Sequence, residues 1–310
     1  MILTVTPNPA IDKTYVVDGF SLRGIRTPRV TMTTPGGKGV NVARVCAILG
    51  CPVVATGFVG GHNGRFLTQE LERTGVLPDF VPVGGETRVC VEIVDPDRGV
   101  QTKINEPGPH IGSGDVAHLE AKVTGWLGRA QFAVLSGGGP PGTPPDLYSR
   151  LVHRARQAGV RVMLDAAGAL LREGVAAAPF MVKPNAEELA SLAGVPVCTP
   201  EDAASAARAL LQSGIAIAAV SLGADGVVVA QGTSLLYAQP PPVEVVSTVG
   251  SGDCMAAGFA LALTRGLPLH AVARWGVAAG AANASALGPG LCTRAEIEDL
   301  LPQVKVTRLA

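Results

Sequence analysis

Charge and aromatic side chains are both scarce in this sequence: charged residues make up 16% of its 310 positions and aromatic residues 4%. Lysine plus arginine and aspartate plus glutamate each number 25, so the net charge is zero, and the basic residues are scattered singly. A neutral chain without basic clusters argues against nucleic acid as a partner. An anionic ligand must therefore be held by a local group of residues.

Metal and disulfide patterns are also lacking. The six cysteines form no C-x-x-C pair and have no histidine at metal-ligand spacing. No apolar run is long enough to span a membrane, and the first residues, MILTVTPNPAID, lack the basic region of a signal peptide. We therefore expect a protein of the reducing cytoplasm with no membrane partner.

What the chain does contain is an alternation of short apolar runs with helical periodicity. Strands are predicted at 2–6, 53–57, 132–137, 160–165, 180–185 and 217–223, followed by a hairpin of 226–230 and 234–238. Helices are predicted at 41–49, 65–73, 115–127, 144–157, 200–211, 254–264, 270–287 and 294–301. This alternation predicts βαβ units, and hence an α/β fold with a mostly parallel sheet between helices.

Two segments depart from this alternation. Residues 13–34 and 87–104 are rich in Thr, Val and Arg and alternate with period two, and the second contains a hairpin turn at Asp97-Arg98-Gly99. We predict that they form a small β-sheet lid, with residues 1–12, 35–86 and 105–310 as the α/β core. The alternative is that they are edge strands of the main sheet.

Three glycine turns are candidate ligand sites. The first, Pro35 to Ala43, combines glycines at a helix start with Lys38 and Asn41, which suits an anion or a hydroxyl-rich ligand. The second, Ser136 to Gly142, directly follows a predicted strand, where ligands bind in open parallel sheets. For each of these two turns, an ordinary connection is an equally good interpretation.

The third turn, Gly250-Ser251-Gly252, opens a helix and is followed by Asp253. Unpaired amides at a helix start can bind a transferring phosphoryl group, and Asp253 would then take the proton of the attacking hydroxyl. The alternative is that Asp253 only caps the helix. A cap requires neither glycine, so we favour the catalytic interpretation. The sequence has no P-loop motif and no protein-kinase motif set, and no Rossmann G-x-G-x-x-G opens the first strand-helix unit.

The segments GGKGVNVA (36–43), KPNAEEL (183–189) and STVGSGD (247–253) occur in this order, and together they resemble the ribokinase-like PfkB family of carbohydrate kinases. The resemblance covers essentially the whole chain. The opening TPNPAIDKTY and the TKINEPGP stretch (102–109) are similar to the branch of 1-phosphofructokinases and tagatose-6-phosphate kinases. It implies a three-layer α/β/α core with a β-lid, and phosphoryl transfer from ATP, with Mg²⁺, to a sugar phosphate.

Roles for individual residues also follow from the resemblance. It implies that Asp253 is the catalytic base and that Gly250, Ser251 and Gly252 form an anion hole. It places Asp12, Gly37 and Asn41 at the sugar hydroxyls and Lys38 and Arg88 near the substrate phosphate. At the nucleotide it places Lys183, Asn185, Ser221, Gly223, Gly226 and Asn283, with Glu188 acting on Mg²⁺ indirectly. Without the resemblance, Asn185 would be interpreted as a cap and Glu188 as a solvated side chain.

Gly138 departs from the family pattern, which commonly has a substrate-contacting serine there. The best single expectation is phosphorylation of fructose 1-phosphate to fructose 1,6-bisphosphate; tagatose 6-phosphate and fructose 6-phosphate are alternative substrates. A sugar-phosphate sensor without turnover is an alternative of another class. By analogy with relatives, a homodimer through the lid is also expected.

Overall fold

A computed structural model describes residues 1–309 of the protein as alternating strands and helices. In chain order the strands are β1 (Ile2–Thr6), β2 (Ala10–Val16), β3 (Val30–Gly36), β4 (Val53–Val59), β5 (Leu77–Pro78), β6 (Val81–Pro82), β7 (Arg88–Asp95), β8 (Val100–Asn105), β9 (Phe132–Ser136), β10 (Arg161–Asp165), β11 (Met181–Val182), β12 (Ile217–Ser221), β13 (Val227–Gln231), β14 (Ser234–Gln239) and β15 (Lys305–Arg308). The helices are α1 (Lys38–Ile48), α2 (Gly61–Arg73), α3 (Ser113–Leu127), α4 (Leu147–Gln157), α5 (Gly168–Ala176), α6 (Ala186–Ala193), α7 (Pro200–Gln212), α8 (Ser251–Thr264), α9 (Leu269–Ala284) and α10 (Arg294–Leu300).

The main sheet, as far as residues 1–309 define it, has eleven strands in the order β15-β14-β13-β12-β11-β10-β9-β1-β4-β5, with β6 beside β4. The strands from β12 to β5 pair in parallel, whereas β13, β14 and β15 pair antiparallel at one end. The predicted mostly parallel sheet is therefore confirmed. In the parallel part, the carboxyl ends of the strands lie along one edge, where open α/β sheets bind ligands.

Helices cover both faces of this sheet, so its central strands are buried on both sides. In β1 all five residues are buried, and neighbours along the strand belong to different cores. Ile2 belongs to the same core as residues of α1, α8 and α9, while Leu3 belongs to the same core as residues of α3, α4 and α7. The predicted three-layer α/β/α arrangement follows from this alternation.

A separate sheet is formed by four strands in the order β3-β2-β7-β8. Its strands come from the two segments rich in Thr, Val and Arg, so the alternative that these segments extend the main sheet is wrong. The strands begin at Ala10 and end at Asn105, a few residues outside the predicted segments on some sides. Assignment of 13–34 and 87–104 to a distinct lid unit stays a prediction.

Several elements differ from the prediction for identifiable reasons. The run 180–185 was predicted as one strand, but β11 contains only Met181 and Val182 because the chain soon turns into α6. Helices α5 and α6 were not predicted, and neither was β15, which pairs with β14 beyond the last helix. The hairpin of β13 and β14 is confirmed.

Within residues 1–309, no helix combines the length and the apolar character that crossing a bilayer requires.

Candidate active site

A cavity of about 940 Å³ lies between the second sheet and the carboxyl-end edge of the main sheet. Its lining includes every residue predicted for the site except Asn283. The three motifs that carried the resemblance, 36–43, 183–189 and 247–253, are far apart in the sequence, and the fold brings all three to this cavity. The remaining glycine turn, Ser136 to Gly142, mainly lines a neighbouring open cavity of about 710 Å³.

The turn before α8 has the geometry of an anion site. Gly250 is the N-cap residue and has a left-handed backbone, with φ of 81°. A Cβ at this position would lie 2.5 Å from Cβ of Pro289, so only glycine fits. The first amides of a helix have no carbonyl partner within the helix, and residues 250–253 at the start of α8 line the cavity. We call residues 250–252 the anion turn.

Asn283 supports this turn from behind instead of lining the cavity. It is fully buried, and its Nδ2 donates to the carbonyl of Val249 at 2.8 Å and to Oγ of Ser251 at 3.3 Å. Its Oδ1 accepts from the amide of Gly290 at 2.7 Å. Because the polar atoms of Asn283 are occupied inside the protein, its contact with the nucleotide stays a prediction, and the structure shows it as a support of the anion turn.

Asp253 lies in the first turn of α8 with only 7% of its surface exposed. Its Oδ2 accepts a hydrogen bond of 2.8 Å from Nδ2 of Asn41, which belongs to α1. Burial, together with the nearby charge of Asp165, raises the pKa of Asp253 to about 7, although Lys38 and Asn41 act in the opposite direction. A carboxylate in this state exchanges a proton near neutral pH, as a general base must.

Two lysines converge on Asp165, a residue that the sequence interpretation missed. Asp165 ends β10, is fully buried, and accepts from Nζ of Lys38 at 3.0 Å and forms an ion pair with Nζ of Lys183 at 3.2 Å. Burial alone would raise the pKa of Asp165, but Lys183 and Lys38 bring it below its usual value. The signal that could have revealed it is an acid at the carboxyl end of a buried strand.

Asn185 and Glu188 form a reciprocal cap at the start of α6. The amide of Glu188 donates to Oδ1 of Asn185 at 2.6 Å, and the amide of Asn185 donates to Oε2 of Glu188 at 3.0 Å. The capping interpretation of Asn185 is thus confirmed. Glu188 is not merely solvated, since its Oε1 accepts from Nζ of Lys38 at 3.2 Å.

The structure separates Lys38 from Arg88. Lys38 lies with Asp165 and Glu188 at the edge of the main sheet, whereas Arg88 lies at the base of the second sheet. There Nε and Nη2 of Arg88 donate to the carbonyl of Asn8 at 3.3 and 3.1 Å. Both positive groups line the cavity, and their shared contact with the substrate phosphate stays a prediction.

Asp12 also lies at the base of the second sheet, directly against Gly36. A Cβ at Gly36 would lie 2.1 Å from Oδ2 of Asp12, so this glycine makes room for the carboxylate. Burial raises the pKa of Asp12 to about 6, and Arg88 is the strongest of the charges that oppose the shift. Farther along the second sheet, Glu92 of β7 is paired with Lys103 of β8, and both line the cavity. Neither residue was predicted for the site.

The opposite part of the cavity is apolar and lies beside β12. Ser221, Gly223 and Gly226 line it together with Pro240 to Val243, Val245 and residues of α9. Val245 is 61% exposed, an apolar surface left uncovered at the cavity mouth. Such a surface beside glycine turns suits a flat aromatic base.

Comparison with known proteins identifies the family. A family description, pfkB family carbohydrate kinase, matches residues 6–296. The chain belongs to the PfkB family of carbohydrate kinases. It is therefore a sugar kinase, a phosphotransferase, with ATP as a substrate.

Relatives and solved structures agree with this assignment. The chain is 34% identical to a 1-phosphofructokinase of Bacillus subtilis over 310 residues, covering 100% of both chains. It is 37% identical to a 1-phosphofructokinase of Rhodobacter capsulatus, covering 94% of this chain and 92% of that protein. A possible 1-phosphofructokinase of Thermotoga maritima has a TM-score of 0.92 at 30% identity, with 100% of both chains covered. Phosphofructokinase-2 of Escherichia coli, in complex with substrates and products, also has a TM-score of 0.92 at 30% identity, with 97% and 98% covered.

Proposed function

We propose that this PfkB-family kinase transfers the γ-phosphoryl group of ATP to fructose 1-phosphate and forms fructose 1,6-bisphosphate. The observation that carries the proposal is the position of Asp253, a buried carboxyl group with a pKa near 7 beside the anion turn. The relatives named 1-phosphofructokinase, similar along the whole chain, support the choice of sugar.

In the proposed reaction, Asp253 accepts the proton of the C6 hydroxyl as that oxygen attacks the γ-phosphorus, whose bond to the β–γ bridging oxygen breaks so that ADP leaves. The amides of Gly252 and Asp253 would stabilise the negative charge on the transferring group, as preorganised donors do. Lys38 and Lys183, held by Asp165, supply positive charge on the same side. Fixed charges of this kind stabilise phosphoryl transfer without covalent participation of the protein.

The sugar phosphate would lie against the second sheet. Asp12, Gly37 and Asn41 are the proposed partners of its hydroxyls, and all three line the cavity between the sheets. Arg88 is the proposed partner of the phosphate that the substrate already carries, because a guanidinium presents paired donors to phosphate oxygens. The nucleotide would occupy the part of the cavity beside Ser221, Gly223 and Gly226.

Mg²⁺ is proposed to accompany the triphosphate. Among the residues from 1 to 309, no cluster of three or more His, Cys, Asp or Glu side chains could hold a metal ion by itself. Both oxygens of Glu188 are already engaged, by Lys38 and by the amide of Asn185. This donor set fits an ion held mainly by phosphate oxygens and water, with Glu188 acting indirectly. The ion would neutralise charge on the phosphate oxygens.

The test measures ATP consumption with fructose 1-phosphate, fructose 6-phosphate and tagatose 6-phosphate, for the wild type and for Asp253→Asn. We expect fructose 1-phosphate to give the highest kcat/KM. Asp253→Asn should keep its affinity for ATP and sugar and lose about 10²- to 10⁴-fold in kcat, the usual contribution of a general base. Tight sugar-phosphate binding without ATP consumption by either protein would instead favour a sensor.

We also propose a homodimer through the second sheet. Val100 and Ile104 on its edge strand β8 are 51% and 59% exposed, an apolar surface on the face away from Asp12. Light scattering should give twice the chain mass for the wild type and a lower mass for Ile104→Lys. Val195→Lys, which alters a similarly exposed valine (56%) outside this sheet, is the control and should not change the mass.

A further inference from the structure

Arg44 is a buried cation that none of the site assignments uses. It lies in α1, three residues after Asn41, and only 6% of its surface is exposed. Its Nη1 donates to two backbone carbonyls, that of Pro35 at 3.2 Å and that of Pro289 at 2.9 Å. A buried guanidinium is costly to the folded state unless its donors are hydrogen-bonded. The two carbonyls that accept from Arg44 therefore indicate which parts of the fold it connects.

The first carbonyl belongs to the base of the second sheet. Pro35 is opposite Ile11 in the ladder of β2 and β3, one position from the pair of Asp12 and Thr34. The next residue, Gly36, is the one that makes room for the Asp12 carboxylate. A bond from Arg44 to Pro35 therefore fixes the backbone on which the proposed sugar-binding carboxylate rests.

The second carbonyl belongs to a short segment, residues 288–290, behind the anion turn. Pro289 presses directly on Gly250, and the amide of Gly290 is held by Asn283. On its other side, Gly288 lies so close to Met32 of β3 that a Cβ there would be 2.6 Å from Cε of Met32. The segment is thus packed between the second sheet and the anion turn.

We propose that Arg44 is a positioning residue that holds the sugar-binding base of the second sheet and the anion turn at a fixed separation. Two residues of α1 then serve the reaction. Asn41 binds the base Asp253. Arg44, almost one helical turn later, connects the base of the second sheet to the segment behind the anion turn, and the hydroxyl and the phosphoryl group meet between them. This inference rests on the proposed kinase reaction, in which those two groups must be aligned. Misalignment by about 1 Å is enough to reduce rates by about 100-fold.

The experiment compares Arg44→Met with Arg161→Met. Arg161 begins β10, at the end of the sheet opposite Asp165, and its Nη2 donates to the carbonyl of Leu263 at 3.0 Å. Both variants remove a guanidinium that bonds to backbone carbonyls, and both should lower Tm. Well below Tm, Arg44→Met should lose at least about tenfold in kcat while its Kd for ATP alone changes less than about threefold. Arg161→Met should keep the wild-type kcat.

Arg44→Lys, which retains the charge and one donor direction, should recover part of the lost kcat and serves as the test if Arg44→Met does not fold. The proposal is overturned if the Arg44 variants keep the wild-type kcat, or if Arg161→Met loses as much. Should the wild type phosphorylate none of the three sugars, the proposed function fails. Amide hydrogen exchange then tests separately whether Arg44 holds the two segments together. Arg44→Lys should exchange faster at both 34–36 and 249–252; unchanged exchange at either segment overturns the inference.

Discussion

A carboxyl group whose pKa is about 7 is half protonated at neutral pH, and Asp253 is in this state because it is buried beside another acid. Only the deprotonated form can accept the proton of a sugar hydroxyl. The hydrogen bond from Asn41 stabilises that form and so keeps the pKa from rising further. The rate of the proposed reaction therefore depends on the groups that surround the carboxyl oxygens of Asp253.

We predict that kcat/KM falls about tenfold per pH unit below a midpoint near pH 7 and is level above it, because the free enzyme must hold Asp253 deprotonated. In Asn41→Ala the midpoint should move upward, since a bond to the charged form is lost. Asn105→Ala removes another amide that lines the cavity and should leave the midpoint unchanged. A kcat/KM that is constant between pH 5.5 and 8 would contradict the role of Asp253.

Gly138 offers a prediction about substrate affinity. A Cβ at this position would meet nothing within 4 Å, and the residue lines the cavity that Arg88 also lines. Gly138→Ser should therefore fold normally and lower the sugar-phosphate KM by about fivefold, the value of one added hydrogen bond of about 1 kcal/mol. Gly139→Ser is the contrast, because its Cβ would lie 2.2 Å from Oγ1 of Thr143 and should destabilise the protein. An unchanged KM in Gly138→Ser would show that substrate does not reach residue 138.

At the level of single residues, sequence interpretation found residues of the cavity where chemistry and local motif coincide. Asp253 follows a glycine turn, and Lys38 and Asn41 follow another, so each could be named as a candidate before any fold was known, and all three line the cavity. Asp165 has no such motif, and its importance comes from two lysines that are distant in the chain. The bonds of Asn283 behind the anion turn could not be predicted either, since a polar residue in an alanine-rich helix gives no indication of which groups its amide contacts.

At the scale of elements, the start of α8 depends on how closely the 288–290 segment approaches it. Gly250→Ala should be doubly unfavourable, because φ is positive and the new Cβ would overlap Pro289. We predict a fall in kcat of about 10- to 100-fold, since displaced amides lose charge stabilisation in the transition state. Enzyme assays and thermal unfolding of the purified variants test this.

Gly232→Ala is the matched control for that prediction. Gly232 also has a positive φ, 54°, but a Cβ there meets nothing within 4 Å, and the residue lies in the turn between β13 and β14. It should lose about 1 kcal/mol of stability and no activity. Equal loss of kcat in both variants would mean that the effect is one of stability, and the anion turn would need no special geometry.

The elements themselves were predictable where burial imposes a period. Long buried strands such as β1 and β9 and the amphipathic helices were found because period and length agree. The missed elements are short: α5 and α6 have nine and eight residues, and β15 has four mostly exposed residues. The strand predicted at 180–185 is reduced to two residues, β11. Their existence depends on neighbours in the fold, which a local pattern does not contain.

At the scale of the whole molecule, the second sheet and the main sheet enclose charges that water would otherwise solvate. Asp12 and Asp253 both have pKa values above the ordinary value of 3.8, and burial is the largest cause for each. A site built in this way lowers stability at the pH where it works, which is common for catalytic groups.

The final prediction concerns the effect of the Asp253 carboxyl group on the free energy of unfolding. Because the folded pKa of Asp253 is raised to about 7 from 3.8, the folded state holds a proton that the unfolded state releases, so this group's contribution to stability falls as pH rises from 3.8 through 7. Asp253→Asn cannot ionise and should be more stable than the wild type. Its advantage in unfolding free energy should grow by about 2–3 kcal/mol between pH 5 and pH 8, since one pKa unit corresponds to about 1.4 kcal/mol. Denaturant unfolding at both pH values measures this difference, and Asp97→Asn, at an exposed position in the turn between β7 and β8, should show no such growth. An advantage that stays constant or shrinks with pH would mean that Asp253 is ionised in the folded protein at pH 5, and the burial that makes it a neutral-pH base would be wrong.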